Sequence, residues 1–137
     1  MVEKIVISGS MKFLDSMLEW QEKLEQQGYE VEIPTPKDFH RVKDEEGDLE
    51  RFNKIKLRET KIHFERIKNS DINLILNYDK DGKKNYIGGN TFAEIAYAMG
   101  LNLLHGKNIQ IYTLNPLPTD LPYSEELIAW QIKQWDK

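Results

Sequence analysis

DINLILNY, residues 71–78, is the most strand-like run in the chain, and its reading decides the fold. A short apolar stretch between polar ends suits a strand buried on both faces, the habit of parallel sheets. Working back from it, residues 49–68 are highly charged and helical, with Phe52, Ile55 and Ile62 on one stripe. EKIVIS (3–8) repeats the buried-strand pattern and GSM breaks it. Phe13–Gln27 then carries Phe13, Met17, Trp20 and Leu24 at helical spacing. Gly28 suits the residue just past a helix end, and Tyr29–Ile33 reads as a strand stopped by Pro34 and Pro36. Residues 37–48 read as a charged loop. Working forward, a turn-rich loop (79–89) leads to a helix from Thr91, capped by Asn90, to about Leu104. KNIQIYTLN (107–115) is another strand, and a closing helix spans Tyr123–Trp135.

Strands and helices therefore alternate, which predicts an α/β fold: a Rossmann- or flavodoxin-like three-layer sandwich around a parallel sheet of four to five strands. No linker or repeat divides residues 1–137, so one domain is expected. In open parallel sheets ligands bind beyond the carboxyl ends of the strands. The loops leaving those ends are Gly9-Ser10-Met11, Pro34–Asp48, Asp79–Gly89 and Asn115–Pro122, where Gly, Asn, Ser and Asp concentrate.

At 137 residues the chain is long enough to bury a sizeable core. A formal net charge of −4 argues against nucleic acid as a partner, because phosphate backbones require a basic face. The absence of cysteine excludes disulfides and thiolate chemistry. Ile5–Ile7 is far too short for a signal peptide, and no run approaches the roughly 20 apolar residues of a membrane span. A cytoplasmic protein without membrane association is the expectation. His40 and His105 stand apart from carboxylate pairs, so no metal site is expected.

Two short segments carry candidate chemistry. In SGSM, the Ser8 and Ser10 hydroxyls with the backbone of Gly9 and Met11 suit a small anion; the same residues also make an ordinary tight turn with Ser10 as cap. The segment is neither a dinucleotide fingerprint nor a triphosphate loop. In NYIGGNTFAEIAYA (85–98), Glu94 falls in the first turns of a helix, where the dipole favours an ionised carboxylate. Phe92, Ile95 and Met99 are expected to face the core. Ala93, Ala96 and Gly100 form a small-residue stripe fit for close helix contact. Glu94 lies off the core stripe, toward the SGSM edge; a solvated glutamate placed for the dipole alone is the alternative.

GGNTFAEIAYA resembles the G-x-x-x-E-L-G-x-A signature of the nucleoside 2-deoxyribosyltransferases and of their relatives that hydrolyse deoxynucleoside 5′-monophosphates. SGSM sits where that family has its first-strand sugar- or phosphate-binding loop, and NSDINLILNY is similar to the strand preceding its catalytic loop. The resemblance runs over roughly residues 4–115. It implies that Glu94 attacks the anomeric carbon of a nucleoside or nucleoside 5′-monophosphate without a cofactor, and that residues after the fourth strand reach a neighbouring subunit's pocket. Two family aspartates are replaced here, by Gly88 and by His63. Imidazole exchanges protons near neutral pH, so His63 is the expected acid or base, with a helix-surface histidine as the alternative; the loss of the aspartates favours hydrolysis, or an unusual nucleobase, over standard base exchange. It equally suits a nucleotide-sensing module that binds without turnover. Expected substrate contacts are Ser8, Gly9, Ser10, Met11, Asn77, Tyr78, Asp79, Asn85, Gly88, Gly89, Asn90, Thr91 and Asn115. Trp20, Trp130 and Trp135 are read as core or interface anchors, and a homodimer or higher homo-oligomer is expected.

Overall fold

The computed structural model describes residues 2–34 and 49–137. The charged loop at 37–48, with His40 and Pro36, lies outside the described residues. Two apolar strands form the centre. β1 (Lys4–Gly9) and β3 (Ile72–Leu76) pair in parallel, with Val6 opposite Asn73 and Ser8 opposite Ile75. β2 (Glu30–Glu32) pairs with β1 on its other side, β4 (Gln110–Thr113) with β3, and β5 (Lys133–Gln134) with β4. Every pairing is parallel, and the order β2-β1-β3-β4-β5 is that of flavodoxin-like sheets. The α/β sandwich expected from the alternation is present, with five strands among the described residues.

Strand alternation assigns the two faces. Ile5, Ile7, Ile72, Leu74 and Leu76 pack with Met17 and Leu24 of α1 (Leu14–Gln26). Val6 and Ile75 face the other layer, built from α2 (Leu49–Lys68), α3 (Gly89–Leu104) and the short α4 (Ser124–Ala129), where Ile67, Ile95, Ala98, Leu101 and Leu127 are buried. No helix among the described residues is long and apolar enough to cross a membrane.

Three local expectations are corrected. First, α3 starts at Gly89 with Gly88 as its N-cap, not Asn90, because extended Gly88 already accepts the Phe92 N–H through its carbonyl at 2.8 Å. Its buried stripe is accordingly Thr91, Ile95, Ala98 and Leu101, with Phe92 and Met99 at the margin. Second, α2 buries His63 and Ile67, while Phe52, Ile55 and Ile62 are only half-buried. The stripe read from apolar residues alone missed a histidine that points inward. Third, the closing helix stops at Ala129. Gln131 takes a positive φ of 59°, and the chain turns to add β5. The Trp135 N–H donates to the Thr113 carbonyl at 2.7 Å, and its ring is buried against the edges of Tyr29 and Tyr112. Burial of that large ring and the ladder bonds outweigh six more residues of exposed helix.

Candidate active site

The connections from β1 and β3 diverge between those two neighbouring strands, so a crevice opens beyond their carboxyl ends. Gly9 ends β1 there because nothing larger fits: a Cβ would stand 2.9 Å from the Leu76 carbonyl oxygen and 3.2 Å from the Met17 methyl carbon. One residue earlier, Ser8 is fully buried and faces the α2/α3 layer. β1 thus delivers a hydroxyl to the floor of a cleft enclosing about 690 Å³, its open mouth included. α2 forms one wall with Lys56, Thr60, His63 and Phe64, and the first turns of α3 form the other with Asn90, Thr91 and Glu94. Gly9, Met11 and Pro34 complete the rim.

Four side chains from four elements meet at the floor. His63 Nε2 lies 3.0 Å from Ser8 Oγ and 3.7 Å from Glu94 Oε1. Asn73 Nδ2, from β3, donates to Ser8 Oγ at 3.0 Å, and the Ser8 hydroxyl interacts with Glu94 as well. Burial pushes the Glu94 carboxyl up to about 7, with the Ser8 hydroxyl pulling it back toward the ionised form. Burial and the positive Arg66 drive His63 down to about 4, against an opposing effect of Glu32. His63 is therefore neutral at pH 7, and its approach to Glu94 is no ion pair. With Glu94 ionised, the imidazole proton belongs on Nε2: a lone pair there would face the carboxylate, and Nδ1 is buried without a partner, where an N–H would be orphaned. Nε2–H and Asn73 Nδ2–H then both donate to Ser8 Oγ, which leaves the Ser8 proton for Glu94. The arrangement holds a carboxylate near neutrality beside a proton acceptor at the mouth of an open cleft.

No family model and no curated protein matches this chain. Solved structures with a similar chain course include a 2-deoxyribosyltransferase of Bacillus psychrosaccharolyticus, at 17% identity and a TM-score of 0.47, covering 97% of this chain and 86% of that one. Another is the CMP N-glycosidase BcmB of Clostridium botulinum, at 14% identity and a TM-score of 0.39, covering 93% and 99%.

Of the residues singled out in the sequence, the cleft gathers Gly9, Met11, His63, Asn90, Thr91 and Glu94, with Ser8 beneath them. The others stand elsewhere. Asn77 and Asn115 clasp each other: Asn77 Nδ2 donates to the Asn115 carbonyl at 3.1 Å, and the Asn115 N–H donates to Asn77 Oδ1 at 2.8 Å. Tyr78 turns to the α1 layer, accepting from Trp20 Nε1 at 3.0 Å and meeting Phe13 edge-on. Asp79 accepts the Asn85 N–H at 2.8 Å, closing a hairpin whose tip, Asp81-Gly82, has positive φ at both residues. Gly88 lies under the Tyr86 hydroxyl, 3.2 Å from where a Cβ would stand, and Gly89 is exposed. Ser10 accepts from Lys80 Nζ at 3.0 Å, outside the lining of the cleft. Sequence reading missed Lys56, Thr60 and Phe64, which announce themselves only as a polar-aromatic stripe at spacings of 4 on α2. It also missed Asn73, whose signal is a lone amide inside an otherwise apolar strand.

Proposed function

We propose that the chain cleaves the N-glycosidic bond of a nucleoside or nucleoside 5′-monophosphate through Glu94, with hydrolysis favoured over base exchange. The observation that carries this reading is the half-buried Glu94 carboxyl held between Ser8 and His63 at the crevice of a parallel sheet. The resemblance of GGNTFAEIAYA to the 2-deoxyribosyltransferase signature narrows the chemistry to glycosyl transfer. Between about pH 4 and about pH 7 the Glu94–His63 pair holds one proton, which about half of the molecules retain at pH 7. When Glu94 is the acid, the neutral ring that can accept from it carries its own proton on Nδ1 and turns the Nε2 lone pair to the carboxyl. With substrate bound, the proton passes from Glu94 to His63 Nε2, 3.7 Å away, and the freed carboxylate attacks the anomeric carbon as the C–N bond breaks. His63 gives the proton to the departing base. Water then displaces the sugar from Glu94, with His63 taking the water's proton. A 5′-phosphate would be met by Ser10, which lies between the cleft residues Gly9 and Met11 and has Lys80 against its hydroxyl.

The test is release of free nucleobase from a panel of deoxynucleosides, ribonucleosides and their 5′-monophosphates, with an acceptor base present in half the samples. Glu94→Gln should lose turnover by more than about 10³-fold while still binding substrate in calorimetry. Near wild-type activity in that variant would remove Glu94 from its role. Ligand binding by the parent protein with no base released from any substrate would instead favour the sensor reading.

A further inference from the structure

Polar groups under the cleft do not end at Ser8. Asn73 sits mid-strand in β3, fully buried, on the face where Val6 and Ile75 are apolar. An amide buried there is costly unless bonded. Its Nδ2 donates to the Val6 carbonyl and to Ser8 Oγ, each at 3.0 Å. Its Oδ1 is buried without a partner among the described residues. A leucine would fill similar space without stranding a polar atom, so the strand alone gives no reason for asparagine. The bond to Ser8 does.

We propose that Asn73 is a positioning residue: by occupying a lone pair of Ser8 Oγ it turns the Ser8 proton toward Glu94. A hydroxyl has one proton and two acceptor sites. Asn73 fills one site and His63 the other, so the proton is left with one direction. Remove Asn73 and the hydroxyl rotates more freely, weakening its bond to the Glu94 carboxylate. Charged and titratable groups around Glu94 come from α2 (Lys56, Glu59, His63, Arg66) and from β2, whose Glu32 pairs with Arg66 at 3.3 Å. Replacing Asn73 by an apolar residue changes none of these charges. A change at Glu94 therefore reports the hydroxyl. The importance of Asn73 for turnover rests on the function proposed above; the ionisation of Glu94 does not, so the two ideas can fail separately.

The experiment is NMR titration of the Glu94 carboxyl in ¹³C-glutamate-labelled full-length protein: wild type, Asn73→Leu, Ser8→Ala and the double variant. Asn73→Leu should raise the midpoint by about half a pH unit or more, the direction expected when a hydrogen bond to the charged form is lost. Ser8→Ala should raise it at least as far, and Asn73→Leu should add nothing in the Ser8→Ala background. An unchanged midpoint in Asn73→Leu overturns the proposal, as does an equal shift with and without Ser8. Should leucine prevent folding, the wild-type protein still decides: the Asn73 side-chain ¹⁵N resonance should titrate with the Glu94 midpoint in wild type and cease to do so in Ser8→Ala. An Asn73 amide blind to Glu94, or one that follows it without Ser8, overturns the proposal equally.

Discussion

In the proposed reaction Glu94 meets two opposing demands: a carboxylate that attacks carbon must be ionised, yet the cleft wall that holds it favours the protonated form. On that proposal His63 reconciles them by accepting the proton within the same site. If the reacting form carries one proton on the pair, kcat/KM should be highest between about pH 4 and about pH 7, the values to which His63 and Glu94 are driven. It should fall about tenfold per unit above that range. A pH–rate profile that climbs to a plateau above pH 8 would mean that the deprotonated pair reacts and that His63 carries no proton. Consistent with an acid role, His63→Gln should cost about 10²–10⁴-fold on ordinary substrates. It should cost far less when the leaving group departs as a stable anion. Glu94 was legible because a carboxylate follows a glycine corner and a family signature surrounds it. Asn73 was not, because its meaning depends on which strand residue stands beside it.

Among the elements, the strand-to-helix turn at Gly9 is the tightest junction of the site. Gly9→Ala pushes a Cβ against the Leu76 carbonyl, a backbone atom that cannot yield without moving β3. The expected loss is about 1–3 kcal/mol in urea denaturation, along with weakened substrate binding; a variant as stable as wild type would show that β1 and β3 have slack there. Strand cores were legible from apolar runs, since burial on both faces leaves little choice of residue. Element ends were not. The start of α3 is fixed by one backbone bond at Gly88, and the end of α4 by a partner strand far away in sequence. The inward side of α2 escaped notice because its charged residues gave the weightier signal, while His63, the residue that turns inward, counts as polar.

For the molecule as a whole, the open side of α3 and the exposed Leu103 and Leu104 at its end are apolar surface in search of a partner. Gly100 has open space above it, so the small-residue stripe admits a second helix. A homodimer is the expected working unit, with Asn115–Pro122 beside the partner's cleft; light scattering at micromolar concentration should give twice the chain mass. A fully active monomer would assign the stripe no such role. The Glu94–His63 pair at the cleft floor also bears on folding itself. In the unfolded chain a glutamate titrates at 4.5 and a histidine at 6.5; the fold moves them to about 7 and about 4. The raised carboxyl gives up stability as pH rises from 4.5 to 7, and the lowered imidazole gives up stability as pH falls from 6.5 to 4. Between pH 4.5 and 6.5 the unfolded pair is a carboxylate and an imidazolium, and the folded pair is an acid and a neutral ring. Both carry one proton. Folding hands that proton from histidine to glutamate and exchanges none with water, so acid–base measurements of wild-type stability pass over two of its most perturbed groups. Each single variant should unmask the other: relative to wild type, Glu94→Gln should gain about 3 kcal/mol as pH rises from 4 to 7, and His63→Gln should lose a similar amount. Parallel pH–stability curves for the three proteins would show that the proton never changes hands.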